Sequence, residues 1–196
     1  MDNLALACRC GTISGRAIKV YPHHGTRVVC YCKDCQAFAQ ALGGAETTLD
    51  AYGGTDIYQL PAARVQIHRG QEQVRCLRLS EKGLYRWYAG CCNTPIANTL
   101  APRMPLIGLI HTFISDPGAE SKTGPIRARV NLGGATGEIP RELVRSAPAK
   151  GYVRKLLFKI LQWKLTGQSR PNPFFTGNQP ICTPESREWP ITLLKT

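Results

Sequence analysis

The chain has 196 residues, 43% of them hydrophobic, which suffices for one substantial core and argues against a largely disordered protein. No apolar run approaches the ~20 residues needed to cross a bilayer, so a transmembrane segment is not expected. The net charge of +12 makes nucleic acid, an anionic lipid surface and a small anionic substrate the candidate partners, and charge alone does not choose among them.

The N-terminal residues and the cysteine content together indicate a cellular location. The segment Met1–Ala7 has no basic region, and its apolar part is too short for a signal peptide. We therefore expect a cytoplasmic protein, in which thiols stay reduced. In that compartment, nine cysteines indicate metal binding before disulfide formation.

Residues 1–135 show the pattern of a single mainly β domain made of short antiparallel strands. A short helix is predicted over residues 36–42, where Gly43 and Gly44 would end it. Turn residues such as the Pro22–Gly25 segment separate the strands. The pattern is β over residues 56–79, notably at 65–67 and 74–79, and the other predicted strands cover residues 12–20, 26–30, 83–88, 106–114 and 127–132.

Residues 136–196 differ in composition and predict a basic amphipathic helix followed by an extended, proline-rich tail, both packed on the β domain. The helix is expected at about residues 149–166, with Lys155 and Lys159 opposite its apolar face. Between Arg141 and Arg170 there are eight basic residues and one acidic residue. The aromatic pair Phe174-Phe175 is the expected anchor of the tail. The apolar positions with helical spacing are Val153, Leu156, Leu157, Ile160 and Leu161.

Three cysteines at Cys-x-Cys-x-x-Cys spacing, Cys30, Cys32 and Cys35, form the strongest motif of the sequence. Zinc binds thiolates at about 2.3 Å in tetrahedral geometry, and thiols this close in sequence can converge on one ion from a tight turn. No fourth ligand is evident nearby. Three protein ligands and an open position are typical of a catalytic zinc site.

A second cysteine pair, Cys8 and Cys10, supplies half of another metal site and needs two ligands from a distant turn. Cys92 is the first candidate and Cys91 the second. Neighbouring residues on an extended strand point to opposite faces, so both can reach one ion only if the chain bends tightly there. We interpret this group as a closed, structural site. The alternative is that one of the two is only a buried thiol.

The other cysteines and the histidines carry weaker signals. Cys76 lies on an alternating strand and is expected in the core, because free cysteine packs as a small hydrophobe. Cys182 is too isolated to assign. His23 and His24 sit in a turn and are secondary candidates for a metal ligand.

The cysteine motifs are similar to those of a known enzyme family. The motifs Cys8-Arg9-Cys10-Gly11, Cys30–Gln36 and Cys92-Asn93-Thr94-Pro95 resemble the glutathione-dependent formaldehyde-activating enzymes, a family that includes centromere protein V. The resemblance covers about residues 4–115. It implies a small β "tent" fold with two zinc ions, a structural one at Cys8, Cys10 and Cys92 and a catalytic one at Cys30, Cys32 and Cys35. The chain departs from the family pattern at Ala89, where the family has a cysteine.

The resemblance implies a carbon–sulfur lyase reaction, in which a thiol such as glutathione adds to a small aldehyde such as formaldehyde and leaves again. Lys33 and Arg27 are the basic residues closest in sequence to the cysteines, where they could meet the carboxylates of glutathione. Two alternatives stay open. One is a non-enzymatic, zinc-stabilised module whose basic helix binds nucleic acid or a membrane surface. The other is a thiol redox protein with a reversible Cys32–Cys35 disulfide.

Overall fold

The computed structural model describes residues 2–80 and 82–186, and within them the protein is mainly β, as the sequence predicts. Short 3-10 turns lie at Ala62–Arg64, Gln71–Gln73, His111–Phe113 and Leu132–Gly134. The α-helices are α1 (Lys33–Ala41), α2 (Ala45–Thr48), α3 (Ala119–Thr123), α4 (Arg141–Ser146) and α5 (Tyr152–Leu165). The strands are β1 (Asp2–Ala7), β2 (Ser14–Val20), β3 (Thr26–Cys30), β4 (Thr55–Pro61), β5 (Val65–Arg69), β6 (Val74–Arg78), β7 (Tyr85–Ala89), β8 (Pro95–Thr99), β9 (Leu106–Ile110), β10 (Ile126–Val130), β11 (Phe175–Thr176), β12 (Gln179–Pro180) and β13 (Glu185–Ser186).

Most of these strands belong to two sheets. The smaller sheet has the order β1-β2-β5, and the larger has the order β10-β3-β4-β9-β8-β7-β6-β13. Most neighbours are antiparallel, as expected, but β10 pairs with β3 and β13 pairs with β6 in parallel. Parallel neighbours need a long crossover. The chain between β3 and β10 supplies one, because it contains α1 and the strands β4 to β9.

The sequence predicted β3 with its observed bounds and placed β2, β5, β6 and β10 within a few residues of theirs. It missed β1 and β8. The predicted strand over residues 106–114 ends at Ile110 and continues as a 3-10 turn. The helix predicted over residues 36–42 begins earlier, at Lys33, and therefore includes Cys35.

The main core lies around the two sheets and is built from their inward-facing residues. Leu4 and Leu6 of β1 alternate with exposed neighbours, as expected for a strand with one buried face. Trp87 of β7 is fully buried and donates its indole N–H to Thr99 Oγ1 at 2.8 Å. Phe174 stacks on Trp87 with ring centroids 4.8 Å apart. The aromatic pair of the tail therefore packs in this core.

The C-terminal helix α5 lies on the domain through one face only. Leu156 and Ile160 are half-buried and Trp163 is buried, whereas Val153, Leu157 and Leu161 are exposed. The expectation of one continuous buried apolar face was therefore wrong for these three residues, because the buried stripe is rotated around the helix axis. The last ten residues of the predicted tail, 187–196, lie outside the described residues. The division into residues 1–135 and 136–196 remains a prediction.

None of the helices in the described ranges combines the length and the apolar character that crossing a membrane requires.

Candidate metal centres

The three cysteines of the Cys-x-Cys-x-x-Cys motif converge where β3 passes into α1. Cys30 is the last residue of β3, Cys32 is extended at the N-cap position of α1, and Cys35 lies in the first turn of the helix. Their sulfur atoms all lie within 4.8 Å of one another. In the described part of the chain, no further His, Cys, Asp or Glu joins this group. We call it the three-sulfur group.

A second loop closes over the three-sulfur group and donates a hydrogen bond to it. The side-chain amide of Asn131 donates to Cys30 Sγ at 3.2 Å. Gln36 donates from Nε2 to the carbonyls of Tyr31 at 3.0 Å and Gly134 at 2.7 Å, which ties the two loops together. A Cβ atom at Gly134 would collide with the Tyr31 carbonyl, so glycine permits this close approach.

The hydrogen bonds within the three-sulfur group favour negative charge on Cys30 and disfavour it on Cys32 and Cys35. The pKa of Cys30 is lowered to about 2, chiefly by hydrogen bonds from the Cys32 and Cys35 thiols, with a contribution from Asn131. The same interactions raise the pKa of Cys35 well above its ordinary value. Arg86 is almost fully buried, with Nη1 3.8 Å from Cys35 Sγ and Nη2 3.5 Å from Asp34. A buried guanidinium requires nearby negative charge, which the Asp34 carboxylate supplies, and a Cys35 thiolate bound to a metal ion would add to it.

The three-sulfur group faces a cavity of about 580 Å³. Its walls are mostly apolar, and no charged side chain is among its described lining residues. Tyr152 of α5 lines it and donates its hydroxyl to Gln59 Oε1 at 2.8 Å. Burial raises the pKa of Tyr152, which keeps the phenol protonated at neutral pH. The C-terminal helix thus contributes to the wall of this site.

The other candidate centre is the four-sulfur group, formed by Cys8, Cys10, Cys91 and Cys92. Its four sulfur atoms also lie within 4.8 Å of one another. Cys10 Sγ is 3.3 Å from Cys91 Sγ and 3.5 Å from Cys8 Sγ, and Cys8 and Cys91 are 3.8 Å apart. Cys92 lies 3.9 Å from Cys91. Cys91 therefore joins the group closely, although the family resemblance implied only Cys92 from this turn.

A tight turn between β7 and β8 lets Cys91 and Cys92 reach the same point. The backbone N–H groups of Cys92 and Asn93 both donate to the Ala89 carbonyl, at 3.3 and 2.7 Å. Asn93 has the left-handed conformation with φ of 56°, which asparagine tolerates. The tight bend required by the sequence argument is thus present.

The first half of the four-sulfur group sits between β1 and β2 and is held by local hydrogen bonds. The Ile13 N–H donates to Cys8 Sγ at 3.2 Å. Hydrogen bonds with the Thr12 side chain and backbone lower the pKa of Cys10 to about 6. Arg9 joins the two turns, because its backbone N–H donates to Thr94 Oγ1 at 3.0 Å and its Nη2 donates to the Cys92 carbonyl at 2.9 Å.

Both groups fit a zinc ion by their donor chemistry. Four sulfurs bound tetrahedrally at about 2.3 Å lie about 3.8 Å apart. Four of the six sulfur–sulfur distances in the four-sulfur group are 3.3 to 3.9 Å, close to this value, and all six are within 4.8 Å. The three-sulfur group offers three such donors with a hydrogen-bond donor, Asn131, beside them. The two groups can therefore hold metal ions, and thiolate donors are those that zinc prefers.

The remaining candidates from the sequence lie elsewhere. Cys76 is fully buried in the core, as predicted, and Cys182 packs half-buried against the same core. His23 and His24 belong to neither sulfur group. His24 instead packs edge-on against Tyr21 and contacts Arg64.

Sequence reasoning missed Asn131, Arg86 and Tyr152. Asn131 lies 101 residues from the cysteine that it contacts, and Arg86 lies 51 residues from Cys35. Sequence spacing indicates contacts only between residues a few positions apart, so nothing in the local sequence indicates either of these contacts. The Asn131–Gly134 segment does show a turn composition, but composition does not indicate its partner.

Comparison with known proteins gives a family. A family model described as a family of unknown function, DUF6151, matches residues 1–185. The chain belongs to the DUF6151 family. No curated protein matches this DUF6151 member. Among solved structures, it is similar to a Rhodobacter sphaeroides protein from structural genomics, with a TM-score of 0.42 and 12% identity over 63% of this chain and 97% of that one.

Proposed function

We propose that this protein is a zinc-dependent enzyme that forms or breaks the bond between a thiol sulfur and an aldehyde carbon, which is formally a carbon–sulfur lyase activity. The observation that carries the proposal is the position of the three-sulfur group in the wall of a large cavity. Three protein donors leave a tetrahedral ion one position for an exogenous ligand. The resemblance of the cysteine motifs to the formaldehyde-activating enzymes supports the same reaction.

The proposed reaction is balanced without an oxidant or reductant. In the forward direction, a new bond joins the thiol sulfur to the carbonyl carbon, the carbonyl π bond breaks, and the thiol proton ends on the oxygen. The reverse reaction releases thiol and aldehyde. A bound zinc ion would supply Lewis-acid chemistry, which lowers the pKa of a thiol or polarises a carbonyl.

Residues of the chain have distinct roles in this proposal. Cys30, Cys32 and Cys35 hold the ion, and Asn131 orients Cys30 through its hydrogen bond. The apolar walls exclude water from the reacting groups. Tyr152 is protonated at neutral pH and lines the same cavity, so its hydroxyl is the candidate hydrogen-bond donor to the substrate oxygen, in exchange for its present bond to Gln59.

The cavity favours a substrate with an apolar body over glutathione. Glutathione carries two carboxylates, and the described lining has no basic residue to meet them. Arg27, a basic residue close in sequence, is instead paired with Asp56 at 2.7 Å and Glu120 at 3.3 Å. An uncharged thiol or a longer-chain aldehyde would place its carbon chain against the apolar wall.

Zinc content and exchange kinetics of the Cys32→Ser variant test the proposal. The wild-type protein is expected to hold two zinc ions per chain and the variant one. The wild type should accelerate the exchange between hexanal, butanethiol and their hemithioacetal, measured by NMR exchange spectroscopy, and Cys32→Ser should not. Glutathione with formaldehyde serves as the second substrate pair. Cys182→Ser, outside both sulfur groups, is the matched control and should retain both zinc ions and the acceleration.

Two results would contradict the proposal. One is a Cys32→Ser variant with as much zinc as the wild type. The other is a zinc-loaded wild type that accelerates neither substrate pair beyond this variant. A metal-free protein with a reversible Cys32–Cys35 disulfide would favour the redox alternative instead.

A further inference from the structure

Helix α5 carries a second apolar face that the fold does not use. Its buried face, formed by Leu156, Ile160 and Trp163 with Tyr152, accounts for its packing on the domain. A surface helix normally needs one such face, and a contiguous exposed apolar surface indicates an interaction site. The exposed apolar residues are Val153, Leu157, Phe158, Leu161 and Leu165, which are 55 to 79% exposed. We call them the α5 stripe.

Two basic residues lie among the apolar side chains of the α5 stripe. At 3.6 residues per turn, Arg154 shares its side of the helix with Phe158, Leu161 and Leu165, and Lys164 lies beside Leu157. Both basic residues are exposed. Helix α5 itself has no acidic residue, and residues 141–170 contain a single one, Glu142, against eight basic residues.

Lys159 fixes the direction in which the α5 stripe points. Its ammonium group donates to the carbonyls of His23 at 3.2 Å and Gly25 at 2.7 Å, and to Thr26 Oγ1 at 2.9 Å. These three acceptors belong to the turn before β3 and to its first residue. The helix is thus fastened to the sheet on the Lys159 side, so the stripe on the other side faces away from the domain.

We propose that the α5 stripe docks the protein on an anionic lipid membrane, with the helix lying in the headgroup region and its axis parallel to the surface. Amphipathic helices that bind membranes in this way combine aromatic and aliphatic residues with lysine and arginine. The five apolar side chains would enter the boundary between headgroups and acyl chains. Arg154 and Lys164 would extend their long side chains back to the level of the headgroups, where their charged ends would meet lipid phosphates.

Charge favours lipid over the other two occupants. In a symmetric dimer through α5, each stripe would face its own copy and bring Arg154 and Lys164 against like charges. Nucleic acid would meet the basic residues, but its phosphates would also cover Leu157 and Phe158, which offer them no partner. An anionic membrane satisfies both the apolar and the basic residues of the surface.

The α5 stripe is continuous with the mouth of the cavity at the three-sulfur group. Val153 belongs to the stripe and lines that cavity, and Leu100, which is half-exposed, lines it as well. Docking through α5 would therefore turn the cavity mouth towards the lipid. The docking proposal does not depend on the proposed enzymatic function, because it rests on the helix surface alone.

Vesicle co-sedimentation of the full chain tests the proposal. The wild type should bind vesicles of phosphatidylcholine mixed with phosphatidylglycerol, bind pure phosphatidylcholine weakly, and be released in part by high salt. The triple variant Leu157→Gln/Phe158→Gln/Leu161→Gln should bind the anionic vesicles at least about tenfold more weakly than the wild type does. Leu132→Gln/Leu143→Gln changes exposed apolar residues away from α5 and should bind as the wild type does.

A second measurement, by fluorescence, uses a variant in which only one residue of the α5 stripe is changed. Phe158→Trp places an indole at the centre of the α5 stripe. Its fluorescence, taken as the difference from the wild type with its three native tryptophans, should shift to the blue on addition of anionic vesicles and be quenched by lipids brominated in the acyl chain. Far-UV circular dichroism checks that each variant keeps the wild-type fold.

Four results would overturn the proposal. The first is a wild type that does not bind anionic vesicles, and the second is equal binding by the triple Gln variant. The third is an indole at position 158 that lipid neither shifts nor quenches. The fourth is a wild-type dimer in light scattering that the triple variant converts to monomer without any vesicle binding, which would assign the stripe to a second copy of the chain.

Discussion

The two sulfur groups are built from the same side chain, and they differ in what each one joins. The four-sulfur group connects the turn before β2, in the smaller sheet, with the turn between β7 and β8, in the larger sheet. The three-sulfur group takes all its donors from six consecutive residues, 30–35. A metal ion in the first group would link distant segments, and an ion in the second would link a segment already held by β3 and α1.

Surroundings separate the two groups as clearly as ligand number does. The three-sulfur group borders a large apolar cavity and receives a hydrogen bond from Asn131. The four-sulfur group has a full set of protein donors, with Cys10 and Cys91 at the protein surface. We infer that the four-sulfur group serves stability and the three-sulfur group serves chemistry, and three predictions test this comparison.

The largest effect is expected from Cys8→Ser. Metal binding in a group that joins two sheets contributes directly to folding, so losing one donor should cost at least about 4 kcal/mol in the free energy of unfolding, or abolish cooperative unfolding. Cys32→Ser should lose less than half as much. Urea unfolding of both variants, followed by circular dichroism, measures the difference, with Cys182→Ser as the control. Equal losses in Cys8→Ser and Cys32→Ser would remove the distinction between the groups.

A smaller effect is expected from Asn131→Gly. The substitution removes the hydrogen bond to Cys30 Sγ, and glycine accepts the left-handed backbone at this position, where φ is 57°. Loss of such a contact to a ligand should weaken zinc binding by the three-sulfur group about 10- to 100-fold. Competition with a chromogenic chelator measures this affinity.

Asn93→Gly is the matched control for this prediction, because Asn93 has nearly the same backbone conformation in the turn of the four-sulfur group, with φ of 56°. It should leave the affinity of the three-sulfur group unchanged. An Asn131→Gly variant with wild-type affinity would show that the amide does not support the ligand.

The smallest effect is expected from Arg9→Ala. This substitution removes the side-chain hydrogen bond to the Cys92 carbonyl and keeps all four sulfurs of the four-sulfur group. A hydrogen bond at the surface contributes about 1 kcal/mol or less to stability. Urea unfolding should therefore show a small loss, similar to that of Arg16→Ala, which removes an exposed hydrogen bond to Gln66. A loss as large as that of Cys8→Ser would mean that hydrogen bonds, rather than the sulfurs, hold the two turns together.

Local patterns determined much of this protein. Alternating and β-branched segments predicted the mainly β fold, since such side chains suit a half-buried strand. The spacing of Cys30, Cys32 and Cys35 predicted their convergence, because residues this close on one turn meet without help from the rest of the chain. Helical periodicity predicted α5 to within a few residues of its observed bounds.

Tertiary structure decided what local patterns do not contain. The approach of Cys91 to Cys10 depends on how the two sheets pack, and the contact of Asn131 with Cys30 depends on the parallel pairing of β10 with β3. Periodicity predicted an apolar face on α5 but not how the helix is rotated about its axis. That rotation is set by the hydrogen bonds from Lys159 to carbonyls of the turn before β3. The sequence specified which residues can bind a metal or bury apolar surface, and the packing of distant segments decided which of them come together and which become buried.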